Sequence, residues 1–315
     1  MIDSYGRKIN YLRVSVTKRC NLNCSYCGAG TEKCEDGLTA AQIEKIVRAF
    51  AVNGITKVRL TGGEPLVRSD ICEIAKRISG IEGIKKIALT TNGIRLAEYA
   101  KALKAAGISA VNVSLDTTDR EQFRAITGYD MLHKVLEGID ECERVGFPSL
   151  RLNAVLVKGR NDDQAEKLVD IARNRKIDVR FIELMPFSSE GEDGKHIVTG
   201  KEILSRFPFL EPLNESSASE KNVAKYYGAE SFIGRVGFIS PVSEKFCKDC
   251  NRIRLLSDGK IKPCLGNDTV FDLMPYIDDE NMLNEKIRQA ILSKPMEHTF
   301  SCGYAASHGM NEIGG

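Results

Sequence analysis

Between residues 11 and 190 the chain alternates short β-rich runs with helical patterns, and this alternation constrains the fold more than any other feature. The predicted strands are Leu12–Val16, Lys57–Leu60, Lys86–Thr90, Ala110–Leu115, Arg151–Val157 and Val179–Leu184. The helical patterns between them are Thr39–Val52, Ser69–Ile78, Arg95–Ala106, Met131–Val145 and Asp162–Asn174. Such alternation indicates βαβ units on a parallel sheet. Six units are too few for an eight-stranded barrel, so we expect an α/β fold with an open, partial (β/α)6 barrel of the TIM type.

Residue types at the helix ends support this reading. Gly54, Gly107 and Gly146 follow helical patterns, where glycine stops a helix in the left-handed conformation. Thr39 with Gln42 three residues later predicts a capping box at the start of the first helix.

The segments that follow the predicted strands are rich in polar residues, glycine and cysteine. These segments are Thr17–Cys20, Thr61–Pro65, Thr90–Gly93, Ser114–Asp116, Lys158–Asn161 and Met185–Pro186. In βα barrels the active site lies at the carboxyl ends of the strands. We therefore expect these segments to converge on one face of the sheet.

After Pro186 the alternation of strands and helices ends. The polar composition predicts two loops, at Ser188–Lys195 and Asn214–Asn222. A second module with β-rich runs at Lys225–Gly228 and Phe232–Ser240 follows. The sequence therefore predicts two domains: residues 1–215 as the partial barrel and residues 216–315 as a C-terminal extension carrying a second cysteine group.

Cys20, Cys24 and Cys27 lie on one short predicted loop after the first strand. Three thiolates can hold three irons of a [4Fe–4S] cluster and leave the fourth iron open to a small molecule. A partial zinc site or three unrelated thiols are the alternatives. Three cysteines in eight positions at the predicted mouth of a barrel favour an iron–sulfur cluster.

The second group is Cys247, Cys250 and Cys264, which also matches half of a zinc ribbon. A structural zinc requires four ligands, and the other nearby candidates are Cys302, His298 and His308. None of these completes a paired spacing. A second [4Fe–4S] cluster with an open iron is the favoured interpretation.

Three smaller features also suggest ligand binding. The turn Gly62-Gly63-Glu64 allows a close backbone approach and offers a carboxylate that can accept from an ammonium group. Arg252 and Arg254, two apart on a predicted strand, point to the same side and suit a phosphate or a base edge. The chain ends in Gly314-Gly315, a tail without side chains that could enter a narrow cavity.

Charge and cysteine content limit the classes of partner and the cellular compartment that we expect for the protein. The net charge of the 315 residues is +2, which does not suggest a nucleic-acid or membrane-surface partner. No apolar run approaches the roughly 18 residues that cross a bilayer, and the start of the chain has no apolar signal region. Ten cysteines in such a chain predict reduced thiols used for metal or redox chemistry, hence a cytoplasmic protein that needs low oxygen.

The first cysteine group, with Tyr26 before its last cysteine, is similar to the signature of the radical S-adenosylmethionine (SAM) enzymes. The resemblance implies that SAM chelates the open iron and that an electron from the cluster cleaves SAM to a 5′-deoxyadenosyl radical. Both three-cysteine groups, the 13 residues between Cys250 and Cys264, and the Ile-Gly-Gly end resemble one family in particular, the GTP 3′,8-cyclases of molybdenum-cofactor biosynthesis.

That resemblance implies a reaction in which the radical takes a hydrogen from C3′ of GTP, and C3′ then bonds to C8 of guanine to give (8S)-3′,8-cyclo-7,8-dihydro-GTP. It places SAM against Tyr26, Gly62, Gly63, Glu64, Ser114 and Met185. It places GTP against Arg13, Arg59, Thr90, Lys158, Arg252, Ile253 and Arg254. The second cluster would bind the guanine edge, and Gly314 and Gly315 would assist the chemistry.

The family likeness further implies a homodimer, a reductant protein such as ferredoxin or flavodoxin, and transfer of product to cyclic pyranopterin monophosphate synthase. Two departures from the family pattern lie beside the first cysteine group. The family usually has Cys-Met-Pro at the third cysteine, whereas this chain has Cys27-Gly28-Ala29-Gly30. Lys18 stands where aspartate is common. The rival hypotheses are a radical SAM peptide modifier with an auxiliary cluster and a non-catalytic iron–sulfur or zinc sensor.

Overall fold

The structure is a computed structural model that describes residues 1–27, 37–187, 191, 194–213, 223–300 and 310–314. Its strands are β1 Tyr11–Ser15, β2 Lys57–Thr61, β3 Lys86–Thr91, β4 Ile108–Ser114, β5 Ser149–Val155, β6 Asp178–Ile182, β7 Glu211–Pro212, β8 Lys225–Gly228, β9 Val236–Ile239, β10 Arg252–Leu255, β11 Lys260–Lys262 and β12 Phe271–Asp272. Its helices are α1 Ala40–Val52, α2 Ile71–Ser79, α3 Leu96–Ala105, α4 Arg120–Thr127, α5 Leu132–Val145, α6 Ala165–Asn174, α7 Gly200–Ser205, α8 Glu280–Leu292 and α9 Met310–Ile313.

All twelve strands form one sheet in the order β12-β11-β10-β1-β2-β3-β4-β5-β6-β9-β8-β7. The six strands β1 to β6 lie side by side in chain order, and each neighbouring pair is parallel. This arrangement confirms the predicted open, partial barrel. Two strands of the C-terminal part extend it, because β10 pairs with β1 and β9 pairs with β6, both in parallel.

The antiparallel strands lie at the two edges, where β11 and β12 follow β10 and where β8 and β7 follow β9. The second cysteine group therefore lies beside the first strand of the barrel. The division after residue 215 stays a prediction.

The predicted strands and helices of the first 190 residues exist, with ends that differ by up to three residues. Thr39 and Gln42 form the predicted capping box, in which the Thr39 hydroxyl accepts from the Gln42 amide at 3.2 Å. Gly54, Gly107 and Gly146 have φ values of +89°, +97° and +75°, as expected for glycines that follow helices.

Four helices of the described residues were not predicted: α4, α7, α8 and α9, of which α4 and α8 are the two longest. Helix α4 has few apolar residues, but Asp119 caps its first turn by accepting from the Gln122 amide, and it ends at Gly128 with φ +79°. Helix α8 packs on α1 through buried residues that include Leu283 and Ile287. The predicted loops at 188–195 and 214–222 fall largely outside the described residues.

Apolar side chains fill the space between sheet and helices. Residues such as Leu12, Val58 and Leu89 on the strands and Ile43, Phe50 and Ile74 on the helices are fully buried. Alternate residues of the same strands point to the other face of the sheet, where polar side chains gather. Among the described residues, no helix is both long and apolar enough to cross a membrane.

Candidate functional site

The first cysteine group lies on the loop that leaves β1, half-buried at the carboxyl end of the sheet. The turn after β2 packs directly against the backbone that leads into this loop. The amide of Gly63 donates to the Thr17 carbonyl at 2.8 Å, and the amide of Glu64 donates to the Arg19 carbonyl at 2.8 Å. A Cβ atom on Gly62 or Gly63 would collide with these carbonyl oxygens, which explains why both positions are glycine.

The Glu64 carboxylate organises this end of the sheet. It is 1% exposed and accepts from the Leu66 amide at 2.9 Å, the Thr91 hydroxyl at 2.7 Å and the Asn92 amide at 2.6 Å. Burial raises the pKa of Glu64 to about 7, although these three hydrogen bonds oppose the shift. The Asn92 side chain continues to the cysteine loop, where it donates to the Asn21 amide oxygen at 2.7 Å.

Tyr26 and Asp116 form a buried pair on the other side of the loop. The Tyr26 hydroxyl donates to the Asp116 carboxylate, which also accepts from the Val155 amide at 2.8 Å. Burial raises the pKa of Asp116 to about 6 and the pKa of Tyr26 well above its ordinary value. The contact joins the cysteine loop to the ends of β4 and β5.

The second cysteine group lies at the edge formed by β10. Cys247 begins a single 3₁₀ turn and Cys250 directly follows it, and the Cys250 amide donates to the Cys247 carbonyl at 3.1 Å. Cys264 follows β11. Burial alone would raise the pKa of Cys250, but Lys294, Arg252 and Arg7 lower it below the ordinary value of a thiol.

Both groups suit iron–sulfur clusters. Their donor atoms are all sulfur, and Cys20 Sγ accepts from the Leu22 amide at 3.5 Å, the kind of bond that stabilises a ligating thiolate. Within the described ranges no three His, Cys, Asp or Glu side chains converge closely enough for a single metal ion. A cubane places each cysteine on a different iron and needs no such convergence.

His298, one of the three candidates for a fourth zinc ligand, is occupied by other contacts. The Nε2 atom of His298 contacts the Pro241 carbonyl at 2.9 Å, and its Nδ1 atom accepts from the Phe300 amide at 3.3 Å. Both ring nitrogens are thus engaged. Burial also lowers the pKa of His298. The other two candidates, Cys302 and His308, lie outside the described residues.

A cavity of about 590 Å³ opens between the strands and the second cysteine group. Cys247, Cys250 and Cys264 border it, whereas the first three cysteines do not. Eleven basic side chains line it: Arg7, Arg13, Lys57, Arg59, Lys85, Lys86, Arg151, Arg180, Arg252, Arg254 and Lys294. Glu297 is the one acidic side chain among the described lining residues. Despite the near-neutral chain, this cavity attracts anions.

Sheet register brings three of the arginines side by side. Arg13 on β1 is paired with Arg254 on β10 and with Arg59 on β2. Burial and the neighbouring arginines lower the pKa of Arg13 well below its ordinary value. Burial likewise lowers the pKa of Arg254 to about 10. Such a row of guanidinium groups matches the charge and oxygen spacing of a polyphosphate.

Tyr11 lies at the centre of this charge. Its hydroxyl accepts from Arg59 Nε, and Lys57 Nζ lies 4.5 Å from the centre of its ring. Burial alone would raise the pKa of Tyr11, but Arg59, Arg13, Lys57 and Arg252 together lower it to about 6.

Several buried polar atoms that border the cavity have no hydrogen-bond partner within the part of the chain that the structure describes. They are Asn112 Oδ1, Asn153 Oδ1, Arg180 Nε and Arg252 Nε. Buried polar groups in proteins are normally satisfied, so orphaned acceptors and donors around one cavity indicate a polar ligand.

The tail reaches the same region. The Arg254 side chain donates to the Ile313 and Gly314 carbonyls at 3.0 and 2.5 Å, and Arg13 donates to the Gly314 carbonyl at 3.5 Å. A Cβ atom on Gly314 would lie 2.6 Å from the Thr61 methyl group. Gly314 thus lies between the arginine row and the turn that supports the first cysteine loop. Gly315 lies outside the described residues.

The structure brings most of the predicted site residues together. Arg13, Arg59, Thr90, Met185, Arg252 and Arg254 border the cavity. Ser114 is at the end of β4, paired with Asn153. Lys158 is absent from the described lining, with a side chain that is 59% exposed and 3.9 Å from Glu202. Ile253 points into the apolar core, so only its backbone faces the cavity side.

Other residues of the cavity were not predicted from the sequence as site residues, among them Lys57, Asn112, Arg151, Asn153 and Arg180. A signal for them exists: they stand at alternate positions of strands whose other residues are apolar. Polar or charged side chains repeated at every second position of a buried parallel strand predict an interior polar site.

Comparison with known proteins first defines the class. Residues 14–172 match the model of the Radical SAM superfamily, and residues 177–300 match that of Molybdenum Cofactor Synthesis C. Streptococcus suis SuiB bound to S-adenosylmethionine has the same fold, with a TM-score of 0.66 at 16% identity over 92% of this chain and 67% of that chain. The protein is a radical SAM enzyme, a class that uses a [4Fe–4S] cluster and SAM.

Curated relatives then define the family. A GTP 3′,8-cyclase of Alkaliphilus oremlandii is 45% identical over 100% of both chains. Those of Peptoclostridium acidaminophilum and Geobacter sulfurreducens are 42% and 41% identical over 100% of this chain and 98% and 99% of theirs. The chain belongs to the GTP 3′,8-cyclase family.

Proposed function

We propose that this chain binds GTP in the basic cavity and closes a bond between its C3′ and C8 atoms, the first step of molybdenum-cofactor biosynthesis. The observation that carries the proposal is the row Arg254, Arg13 and Arg59 in a cavity bordered by the second cysteine group. A triphosphate carries about four negative charges, which several buried cations can neutralise.

The residues divide into two neighbouring sets. Cys20, Cys24 and Cys27 would hold the first cluster, and Cys247, Cys250 and Cys264 the second. When bound, the first cluster and SAM supply the organic radical that removes a hydrogen atom from the nucleotide. Tyr26, Gly62, Gly63, Glu64, Ser114 and Met185 are proposed to hold SAM.

The cavity residues orient the nucleotide. Arg13, Arg59, Arg252 and Arg254 offer guanidinium donors to the phosphates, and Thr90 is fixed beside them because its hydroxyl accepts from Arg59 Nη1 at 3.0 Å. The Ile253 backbone and Lys158 are the remaining proposed GTP contacts. For Lys158, the exposed side chain would have to turn away from Glu202.

The Gly314-Gly315 tail is proposed to assist the chemistry. Gly314 is buried, and its carbonyl accepts from two of the phosphate-binding arginines. A tail in this position can report on whether the phosphate site is filled and can exclude water from the region between the two sites.

Several partners belong to the same proposal. Reduction of the first cluster requires an electron donor, for which ferredoxin or flavodoxin is suitable, and the product would pass to cyclic pyranopterin monophosphate synthase. We also propose a homodimer and a reducing, cytoplasmic location, since both thiolate sets require reduced cysteines.

An anaerobic assay tests the function. Reconstituted protein is incubated with SAM, a reductant and one of GTP, ATP or a peptide, and 5′-deoxyadenosine and nucleotide products are quantified. GTP should stimulate SAM cleavage and yield a cyclised nucleotide, whereas ATP and peptide should not. Equal SAM cleavage with and without GTP would contradict the substrate, and stimulation by peptide would favour the peptide-modifying alternative.

A further inference from the structure

Two buried cations outside the arginine row Arg254, Arg13 and Arg59 join the chain segments that carry the second cysteine group. Arg7 and Lys294 are 8% and 2% exposed. Both border the cavity, yet their side chains donate to main-chain carbonyls of the protein and, for Arg7, also to the Asp3 carboxylate. The mechanism proposed above uses neither.

The Arg7 guanidinium is fully engaged within the protein. Its Nε donates to Asp3 at 2.6 Å and Nη1 to the Cys247 and Met296 carbonyls, both at 2.9 Å. Its Nη2 donates to the Lys294 and Pro295 carbonyls at 3.4 and 2.7 Å. An arginine has five N–H donors, and these contacts use all of them. Arg7 therefore has none left for a ligand in the cavity.

Lys294 extends the same network to the other two cysteines. Its ammonium donates to the Arg252 carbonyl at 2.8 Å and to the Pro263 carbonyl at 2.7 Å. Arg252 is two residues after Cys250, and Pro263 immediately precedes Cys264. Together with the bond from Arg7 to the Cys247 carbonyl, the two cations hold all three ligand segments.

The charges of this network suit an anionic group. Asp3, whose side chain is fully buried, neutralises Arg7. In the described part of the chain, no carboxylate lies within ion-pair distance of Lys294. A buried ammonium that has only carbonyl partners is costly unless a negative charge lies near it. Thiolates around an iron–sulfur cluster would supply that charge, because Lys294 contacts the backbone beside Cys250 and Cys264.

We propose that Arg7 and Lys294 are the positioning residues of the second cluster: they fix the backbone around Cys247, Cys250 and Cys264 so that the ligand set exists before the cluster binds. The inference rests on the proposed function, which assigns a second cluster to these cysteines. Main-chain contacts that orient metal ligands commonly decide both the affinity and the potential of a centre.

The test compares matched variants in iron content and in electron paramagnetic resonance of the reduced protein. Arg7→Met and Lys294→Met should lower the iron content from about eight to about four per chain, with the signal of the first cluster retained. Arg68 offers the opposite control, because it is equally buried and donates to the Val16 and Leu38 carbonyls near the first cysteine loop. Arg68→Met should lower the first signal and spare the second.

A further variant separates charge from hydrogen bonding. Lys294→Gln keeps amide donors for the carbonyls but removes the positive charge. It should retain the second cluster at a more negative reduction potential, since a nearby cation favours the reduced, more negative state. A merely structural role of Lys294 would leave the potential unchanged.

Two outcomes would overturn the inference in distinguishable ways. About four irons per chain in the wild-type protein would show that the second cluster does not exist, and would thereby contradict the proposed function as well. Wild-type and both Met variants with about eight irons each and unchanged potentials would leave the function standing and refute the role of Arg7 and Lys294.

Discussion

At the scale of single residues, the cavity concentrates positive charge that exceeds the one carboxylate, Glu297, in its described lining. Arg252 shows this most clearly: its Nε atom is buried and has no hydrogen-bond partner among the described residues, while its backbone carbonyl accepts from Lys294. The side chain and the backbone of this residue therefore have separate tasks.

Arg252→Met should weaken GTP binding without loss of iron, because only the side chain faces the ligand. A charge-assisted hydrogen bond contributes about 1.5–3 kcal/mol, so affinity should fall about 10- to 150-fold. Equilibrium binding of GTP and iron analysis on the same sample measure both effects. Arg144→Ala, at an exposed arginine paired with Glu141, is the control and should change neither.

Tyr11 makes GTP binding depend on pH. Cationic groups face its hydroxyl or ring from three strands: Arg13 from its own strand β1, Lys57 and Arg59 from β2, and Arg252 from β10. The pKa of about 6 means that Tyr11 is largely anionic in the empty cavity at neutral pH. A bound triphosphate neutralises those cations, so the pKa of Tyr11 rises towards its ordinary value and a proton is taken up.

Affinity for GTP should therefore fall as pH rises from about 6 towards 10, the ordinary pKa of tyrosine. The comparison with Tyr11→Phe isolates this effect, since titration of the nucleotide itself is common to both proteins. The wild-type slope should be more negative, by up to about one log unit per pH unit. Parallel profiles for the two proteins would refute the anionic state of Tyr11.

The sign for stability is opposite. A depressed pKa in the folded protein adds stability that is complete above the unfolded value and is lost as pH falls through about 6. Without GTP, wild type should thus gain stability relative to Tyr11→Phe between pH 6 and 10.

At the scale of elements, the turn after β2 holds the first cysteine loop in place by backbone contact. The Gly63→Ala change would push a methyl group against the Lys18 and Arg19 carbonyls. We expect the loop to shift and iron to fall from about eight to about four per chain even without SAM. If Gly63 serves only to contact SAM, iron content would stay at the wild-type level and SAM affinity alone would fall.

Gly83 provides the matched control. It has φ +90°, and the nearest atom to an added methyl group is 3.9 Å away, on Ala51. Gly83→Ala should cost about 1–2 kcal/mol of stability through backbone strain and leave iron unchanged. Thermal unfolding and iron analysis of both variants separate strain from displacement of the loop.

Local signals in the sequence were sufficient for the elements of the barrel. The alternation of β-rich and helical runs, the capping box at Thr39 and the glycines after helices each act over a few residues, and the structure contains them. Helix α4 was missed because its charged segment has only two large core-facing apolar residues, Phe123 and Ile126, and their i, i+3 spacing alone is too short a pattern to predict a helix.

Contacts that join distant segments could not be predicted in the same way. The pairing of β10 with β1 unites residues about 240 apart, and nothing local in either strand specifies it. For the same reason, nothing local in the sequence predicts that Arg13 and Arg252 bind the same ligand. That prediction came only from the family resemblance. The networks of Arg7 and Glu64 likewise depend on tertiary packing.

At the scale of the whole molecule, the tail connects the arginine row with the turn after β2 that supports the first cysteine loop. Gly314 has φ +71°, and an added methyl group would lie 2.6 Å from the Thr61 methyl group. Gly314→Ala should displace the tail and lower cyclisation while both clusters remain. Combining it with Thr61→Ser removes the colliding methyl group and should restore part of the activity. A double variant no better than Gly314→Ala would argue against this packing.

The most direct test of the central claim uses GTP with deuterium at C3′, incubated anaerobically with SAM, a reductant and the reconstituted protein. If the cavity holds GTP beside the SAM site, mass spectrometry should find deuterium in 5′-deoxyadenosine and a cyclised nucleotide that has lost it. Unlabelled 5′-deoxyadenosine, formed at the same rate with and without GTP, would contradict the claim.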